Sequence, residues 1–430
     1  MAGPAATPCA RCGRTLLDLR AQASRDALRG SALLCNVPAC PLVQRVMGFP
    51  ETPRVAGREL HGPSPPAVFV GRHGYPDVTI GPLLPATPES APAMTDSPRE
   101  WAQNLDIATI LGMRARLYRS KAPARVDRPL GSHTLETSQQ LALAAKAVET
   151  EVTLAKPPRL TMEPKVDNYA APMGPSVNVV DARVLSHPSV PRKVDDIVSD
   201  VHVDAATGAN EMYDAGISAY HIQRLLSVGL LGESRRRKLV PTRWSITATD
   251  DILGKRLIEE VKAFGLVDAP QVFAADLFGN YFHVLLMPRV WSFEMVEAWQ
   301  EDGGWMFGRD AEGYGGRTAY VEQVAGAYYA ARLSVLEHLQ RVRRQASVFV
   351  YREITDEYWA PLGVWVIREA VRTAMEGKGL VFGDVASAVR HVARRTRTSE
   401  WTRQATLVRE AKAQTTLRAF LDQKPPAEDG

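Results

Sequence analysis

Cysteine is scarce in this chain, and none lies beyond position 40: Cys9, Cys12, Cys35 and Cys40 are all of it. The long remainder therefore has no thiol nucleophile and no disulfide framework. No apolar run reaches the roughly 18 residues that suggest a membrane-spanning helix, so no membrane span is expected. The opening Met1-Ala2-Gly3-Pro4 leads into no basic region followed by an apolar stretch. No secretory signal is expected, and a cytoplasmic, nucleoid-associated location is. Also missing are a phosphate-binding P-loop, a dinucleotide glycine fingerprint and a carboxylate cluster with metal-binding spacing. These absences remove the motif-based nucleotide-hydrolase and dehydrogenase classes.

What remains is ordinary globular composition: 430 residues, 45% apolar and 23% charged, with a net charge of only +4. That length supports two or three domains with a sizeable core. The expected class is α+β, with a small N-terminal zinc module, a mixed α/β central domain and a mainly helical C-terminal domain. Proline and glycine between positions 50 and 66 mark a linker. The expected divisions are 1–49, 67–290, 317–412 and a flexible tail at 413–430.

The four cysteines form two short pairs, C-x2-C and C-x4-C, separated by 22 residues. Two such knuckles suit a tetrahedral structural Zn²⁺ site held by Cys9, Cys12, Cys35 and Cys40. Four protein ligands leave no open position, so this metal would be structural. Two disulfides, or a four-cysteine iron–sulfur cluster, are the alternatives.

In the body, Ala67–Leu83 reads as a hairpin whose tip carries Arg72, His73, Tyr75 and Asp77. Loop tips on a rigid scaffold often carry function; an Arg72–Asp77 ion pair in a satisfied turn is the plainer account. Thr95–Trp101 opens a helix that Leu105, Ile107, Ile110 and Leu111 continue. Residues 138–154 are helix-like. Trp244, Ile246 and Ala248 alternate with Ser245, Thr247 and Thr249, as in a half-buried strand ahead of a helix capped by Asp250 and Asp251. Arg243 and Ser245 on that strand complete a candidate polar pocket with Arg72, His73, Tyr75 and Asp77. Histidine would do the acid–base work there and arginine would hold phosphate. Gln271–Pro288 forms a hairpin, with His283 as a core histidine. Residues 291–316, rich in tryptophan and glycine, read as an aromatic connector, and Thr318–Gln345 as one long helix.

Arginine is clustered. Arg235, Arg236, Arg237 and Lys238 form one run, and Arg394 and Arg395 lie in a basic stretch before the tail. The guanidinium fork pairs with phosphate oxygens, so these are the nucleic-acid candidates; solvated helix faces are the plainer alternative.

Near the C-terminus, Gln414 is followed by Leu417, Phe420 and Leu421. In a 3₁₀ turn, residues i and i+3 eclipse, so Leu417 and Phe420 share a face, beside Leu421, as an apolar plug. Gln414 supplies an anchoring amide. The pattern resembles the PIP peptide of proteins that dock on the sliding clamp PCNA. Leu421 in place of a second aromatic would weaken docking without abolishing it.

The cysteine module, the Val-Gly-Arg-His-Gly-Tyr-Pro hairpin, Pro-Thr-Arg-Trp-Ser, the Arg-Glu-Ile…Pro-Leu-Gly-Val-Trp segment and the tail together resemble the archaeal Nre family of DNA repair proteins. The likeness spans nearly the whole chain. It implies that the cysteines are zinc-finger ligands, that Gln414–Leu421 is the clamp-binding motif, and that DNA is a partner. It implies no catalytic mechanism. A DNA- or nucleotide-processing enzyme of nuclease or phosphodiesterase type, using the Arg/His/Tyr/Asp pocket, stands as the alternative.

Overall fold

The computed structural model describes residues 57–85, 92–129, 131–157, 170–301, 304–355 and 357–413. The cysteine module and the tail from Gln414 onward lie outside the described residues. Residues 57–256 with 357–369 make one unit, and residues 257–355 with 370–413 make another.

The first unit is built on a six-stranded sheet. Its strands are β1 (Glu59–Ser64), β2 (Val68–Val70), β3 (Asp77–Pro85), β4 (Leu117–Arg125), β5 (Val148–Leu154) and β6 (Ser176–Val184), in the order β1-β5-β6-β4-β3-β2. Only β4 and β6 run parallel. The hairpin expected at 67–83 is β2 and β3. At Gly81 a side chain would meet Ser120 backbone, with an added Cβ only 2.6 Å from its carbonyl oxygen, so the close pass of β3 and β4 requires glycine there.

Two helical expectations are corrected in this unit. Instead of one continuous helix from Thr95, the chain forms α1 (Pro98–Asn104) and α2 (Ile107–Ala115). Asp106 breaks the run because its carboxylate accepts from Thr109 N at 2.7 Å and starts a new helix. The helix-like stretch at 138–154 is the end of α3 (His133–Leu143) followed by β5. Val148, Thr150, Val152 and Leu154 alternate with less buried residues, and that period of two decides for strand. Helix α3 lays Leu135, Leu141 and Ala142 against Val70, Val78, Ile80 and Val148 of the sheet. Three short helices follow: α4 (Arg192–Ser199), α5 (Ala205–Asp214) and α6 (Ala219–Ser227).

Next comes α7 (Thr242–Lys262), which overturns the strand expected at 244–249. Ser245 and Thr247 return their hydroxyls to the carbonyls of Thr242 and Trp244, three residues back, at 3.0 and 3.2 Å. Hydroxyl residues satisfied in this way sit inside a helix without a sheet partner. Ile246, Leu253, Leu257 and Val261 then bury one face at helical spacing.

The second unit carries its own six-stranded sheet: β7 (Gln271–Leu277), β8 (Asn280–Met287), β9 (Ser292–Glu301), β10 (Gly304–Glu312), β11 (Ser347–Ile354) and β12 (Leu380–Val381), in the order β10-β9-β11-β8-β7-β12. The β7–β8 hairpin turns at Phe278 and Gly279, both with positive φ (55° and 77°), as a two-residue turn requires. The expected connector at 291–316 is largely the β9–β10 hairpin, registered from Glu301 opposite Gly304 to Phe293 opposite Glu312. Phe293, Trp299, Trp305 and Phe307 are strand residues, and Trp291 lies just before β9; Trp291 and Phe293 are fully buried.

The helices of this unit are α8 (Gly326–Val342), α9 (Trp365–Glu376, whose first residues belong to the first unit), α10 (Val385–Ala393), α11 (Trp401–Gln404) and α12 (Thr406–Ala413). The long helix expected from Thr318 thus begins only at Gly326. The preceding turn is held by Asp310, which accepts from the backbone N–H groups of Glu322, Gln323 and Val324. Within the mainly helical 317–412 stretch, β11 is an interior strand, antiparallel to β8 and parallel to β9. Trp401 stacks on Phe349 and Tyr351 of β11, each at 5.2 Å, and fixes the C-terminal helices to one face of the sheet.

Candidate functional site

The end of β2 is tied to the start of α7. Val70 N donates to Thr242 Oγ1 at 2.9 Å. This bond brings the β2–β3 tip beside the first turn of α7, so Tyr75 and Trp244 meet with ring centroids 5.2 Å apart and planes at 57°. Both rings are largely exposed, 53% and 43%. Arg72 and His73 are exposed beside Tyr75, and Arg243 is half-buried beside Trp244. Gly74 holds the tip at φ +84°, where an added Cβ would sit 2.7 Å from the Asp77 carbonyl oxygen.

Two members of the expected pocket are placed differently. Asp77 pairs with Arg125 of β4 at 3.3 Å, an exposed contact that belongs to strand pairing. Ser245 is fully buried with its hydroxyl on the Thr242 carbonyl, so it faces away from the tip. The structure brings together Arg72, His73, Tyr75, Arg243 and Trp244. Trp244 was legible only as a strand residue, and a helical phase was needed to expose it.

Beneath this surface lies a cleft of about 80 Å³. Val68, Phe69, Leu83, Met173 and Ile246 form its apolar wall, and Asp96, Arg114, Tyr220, Gln223 and Arg224 supply its polar groups. Arg114, on α2, donates through Nε to Pro172 O and through Nη1 to Thr95 O, both at 2.7 Å, and reaches Asp96 at 3.5 Å. Arg224, on α6, reaches the other oxygen of Asp96 at 3.5 Å and Ala144 O at 3.5 Å. Its Nε is buried and has no partner among the described residues. Burial pulls both guanidinium groups below their ordinary pKa, with Asp96 opposing the effect. Next to Arg224, the imidazole of His221 is held neutral, with a pKa lowered to about 3 by burial and by the Arg224 charge.

One wall is locked from behind. Tyr220 Oη donates to Glu369 at 2.6 Å, and the Arg368 guanidinium lies 4.7 Å over the Tyr220 ring. Arg368 reaches both oxygens of Asp250 at 2.7 and 2.6 Å in a fully buried pair. In the sequence, Arg114, Arg224 and Arg368 look like polar ends of amphipathic helices. Nothing local distinguishes a solvated arginine from one turned inward.

Of the nucleic-acid candidates, Arg235, Arg236 and Lys238 are exposed. Arg237 is half-buried and donates to the carbonyls of Gly232, Val198 and Asp200, so its role is to tie a loop. In the second unit Arg394 and Arg395 are exposed, the latter against His391 at 3.1 Å. Among the described residues no group of three histidine, cysteine, aspartate or glutamate side chains could hold a metal ion. No described helix is long and apolar enough to cross a membrane.

Comparison with known proteins identifies the lineage. Residues 34–306 match the family described as Archaeal Nre, N-terminal, and residues 312–420 match Archaeal Nre, C-terminal. The chain belongs to the archaeal Nre family. It is 38% identical over 358 residues to the DNA repair protein NreA of Haloferax volcanii, covering 80% of this chain and 84% of that protein. With the DNA repair protein NreB of Archaeoglobus fulgidus it shares 36% over 398 residues, 90% of this chain and 98% of that protein. With NreA of the same organism it shares 37% over 375 residues. No solved structure matches the chain. The division between the two Nre matches, residues 307–311, falls inside β10 of the second sheet, so both Nre segments contribute strands to it.

Proposed function

We propose that this Nre protein is a DNA repair factor that binds DNA and is delivered to it by the sliding clamp PCNA. The observation that carries the repair role is end-to-end likeness to relatives named DNA repair proteins, which extends over 80–90% of this chain. The clamp contact rests on the spacing of Gln414, Leu417, Phe420 and Leu421. Cys9, Cys12, Cys35 and Cys40 hold a structural Zn²⁺ in this reading. DNA phosphates are met by the exposed Arg235, Arg236 and Lys238 and by Arg394 and Arg395. The exposed Tyr75–Trp244 pair adds a surface on which unpaired bases can stack. A weak DNA contact becomes substantial once the tail is seated, because tethering raises the effective concentration.

Removing residues 413–430 is expected to abolish co-elution with the clamp while the far-UV circular dichroism of the body stays unchanged. Undiminished co-elution would remove the tail from the account. In the tailless protein, replacing Arg235, Arg236 and Lys238 by glutamine should flatten the dependence of DNA affinity on salt. The log–log slope should fall by about 0.9 for each phosphate that is no longer neutralised. An unchanged slope would clear those three residues of DNA contact. The enzyme alternative rests on Arg72, His73 and Tyr75, which are exposed together at the hairpin tip. His73→Ala is the variant that separates the two, assayed on branched, damaged and single-stranded DNA.

A further inference from the structure

We infer that the cleft beneath β2 binds a terminal phosphate group, carried by a nucleotide or by the end of a nucleic-acid strand, with Arg224 as its principal grip. The inference stands on the cleft alone and does not depend on the clamp or on the repair role.

Among the described residues, three charged side chains line this space: Asp96, Arg114 and Arg224. One carboxylate is shared between two guanidinium groups, which leaves one positive charge unbalanced. The two arginines are served unequally. Arg114 has two short bonds to carbonyls and sits within a closed set of partners. Among the described residues, Arg224 reaches two acceptors, both at 3.5 Å, the outer limit of a hydrogen bond, and its buried Nε has none. Its side chain is 14% exposed. Buried donors are nearly always satisfied, and a charged one left short of acceptors is costly to hold. An anion with several oxygens meets that need, because the guanidinium fork matches phosphate geometry through two parallel bonds.

The apolar wall of Val68, Phe69, Met173 and Ile246 lowers the local dielectric and strengthens any such pairing. Size limits the ligand further. The cleft offers about 80 Å³, roughly half of the ~150 Å³ cavity that accepts benzene. A phosphate is small enough for that volume, whereas an aromatic base is larger. The remainder of the ligand must stay outside, so the phosphate is terminal. Asp96 acts as a built-in competitor, since it occupies with its two oxygens the guanidinium edges that a phosphate would use.

The test is a titration of the full chain with four probes: inorganic phosphate, adenosine monophosphate, a single-stranded oligonucleotide bearing a 5′-phosphate, and its 5′-hydroxyl twin. If the strand end is the source, the phosphorylated oligonucleotide binds tighter than its twin. If the mononucleotide is the source, the two oligonucleotides are equal while adenosine monophosphate and phosphate bind. In either case Arg224→Gln should weaken the phosphate-dependent binding by about tenfold or more. Asp96→Asn should strengthen it, an outcome a purely structural charge cluster would not produce. Arg224→Lys keeps the charge but loses the fork, and serves where the glutamine variant fails to fold; it too should weaken binding. The proposal is overturned if the two oligonucleotides bind equally and neither adenosine monophosphate nor phosphate binds, if the Arg224 variants bind as well as the parent, or if Asp96→Asn leaves binding unchanged or weaker.

Discussion

Truncating Arg368 to alanine is expected to lower the stability of the first unit by about 3–5 kcal/mol. Arg368 and Asp250 are among the most deeply buried charges in the protein, 1% and 0% exposed, and they meet through two bonds of 2.7 and 2.6 Å. Removing one partner strands the other charge where water cannot reach it, and that stranded charge is the source of the large cost. Replacing both, as Arg368→Met with Asp250→Leu, removes the stranded charge and should be much milder than either truncation alone. Urea-unfolding midpoints of the two single variants and the double variant give the coupling directly. A loss below about 1 kcal/mol for Arg368→Ala, the size of an exposed ion pair, would show that the pair does not hold the unit together. Because the guanidinium also lies over Tyr220, the single variant should loosen the cleft wall and blunt phosphate binding.

Acid should destabilise this protein earlier than its carboxylates alone would suggest. The imidazole of His221 sits at about 3 in the folded chain, from burial first and the Arg224 charge second. An unfolded histidine titrates near 6.5. The proton therefore binds the unfolded chain first. The contribution of His221 is fully present above about pH 6.5 and is lost as the pH falls from there toward 3. At pH 5 the loss from this one group is about 2 kcal/mol. In the second unit, His283 acts in the same direction, held at about 4 by burial, with His391 and Arg395 repelling its proton. Comparing unfolding free energies at pH 7.5 and pH 5 measures the effect. His221→Gln should reduce the difference by about 2 kcal/mol. An unchanged difference would mean that His221 takes its proton without unfolding.

The local signals in the sequence were largely sound where one face of an element meets one environment. The β2–β3 and β7–β8 hairpins carry short apolar runs bounded by turn residues, and both form. The misreadings share a physical origin. At 244–249, hydroxyl residues alternate with apolar ones by chance of composition. Ser245 and Thr247 satisfy themselves on the helix backbone, so the apparent period of two says nothing about pairing. At 291–316 the tryptophans and glycines hid a hairpin, because β9 is buried on both faces and lacks the alternation that marks a half-exposed strand.

The candidate site was half legible. Arg72, His73 and Tyr75 stood out at a loop tip, and they do meet the residues around position 243. The cleft was invisible, since nothing local in the sequence marks Asp96, Arg114 or Arg224 as facing inward.

By itself the amino-acid sequence determined the α+β class, the lineage and the positions of the cysteine pairs and the clamp-like tail, because each is written in neighbouring residues or in motifs spread along the chain. Tertiary structure alone decided which charges lie inside. Arg224 and Asp96 are 128 positions apart, and only the folding of α6 against the first sheet's loops sets them 3.5 Å from one another. Burial is a property of the neighbours a side chain acquires, and those neighbours come from distant parts of the chain.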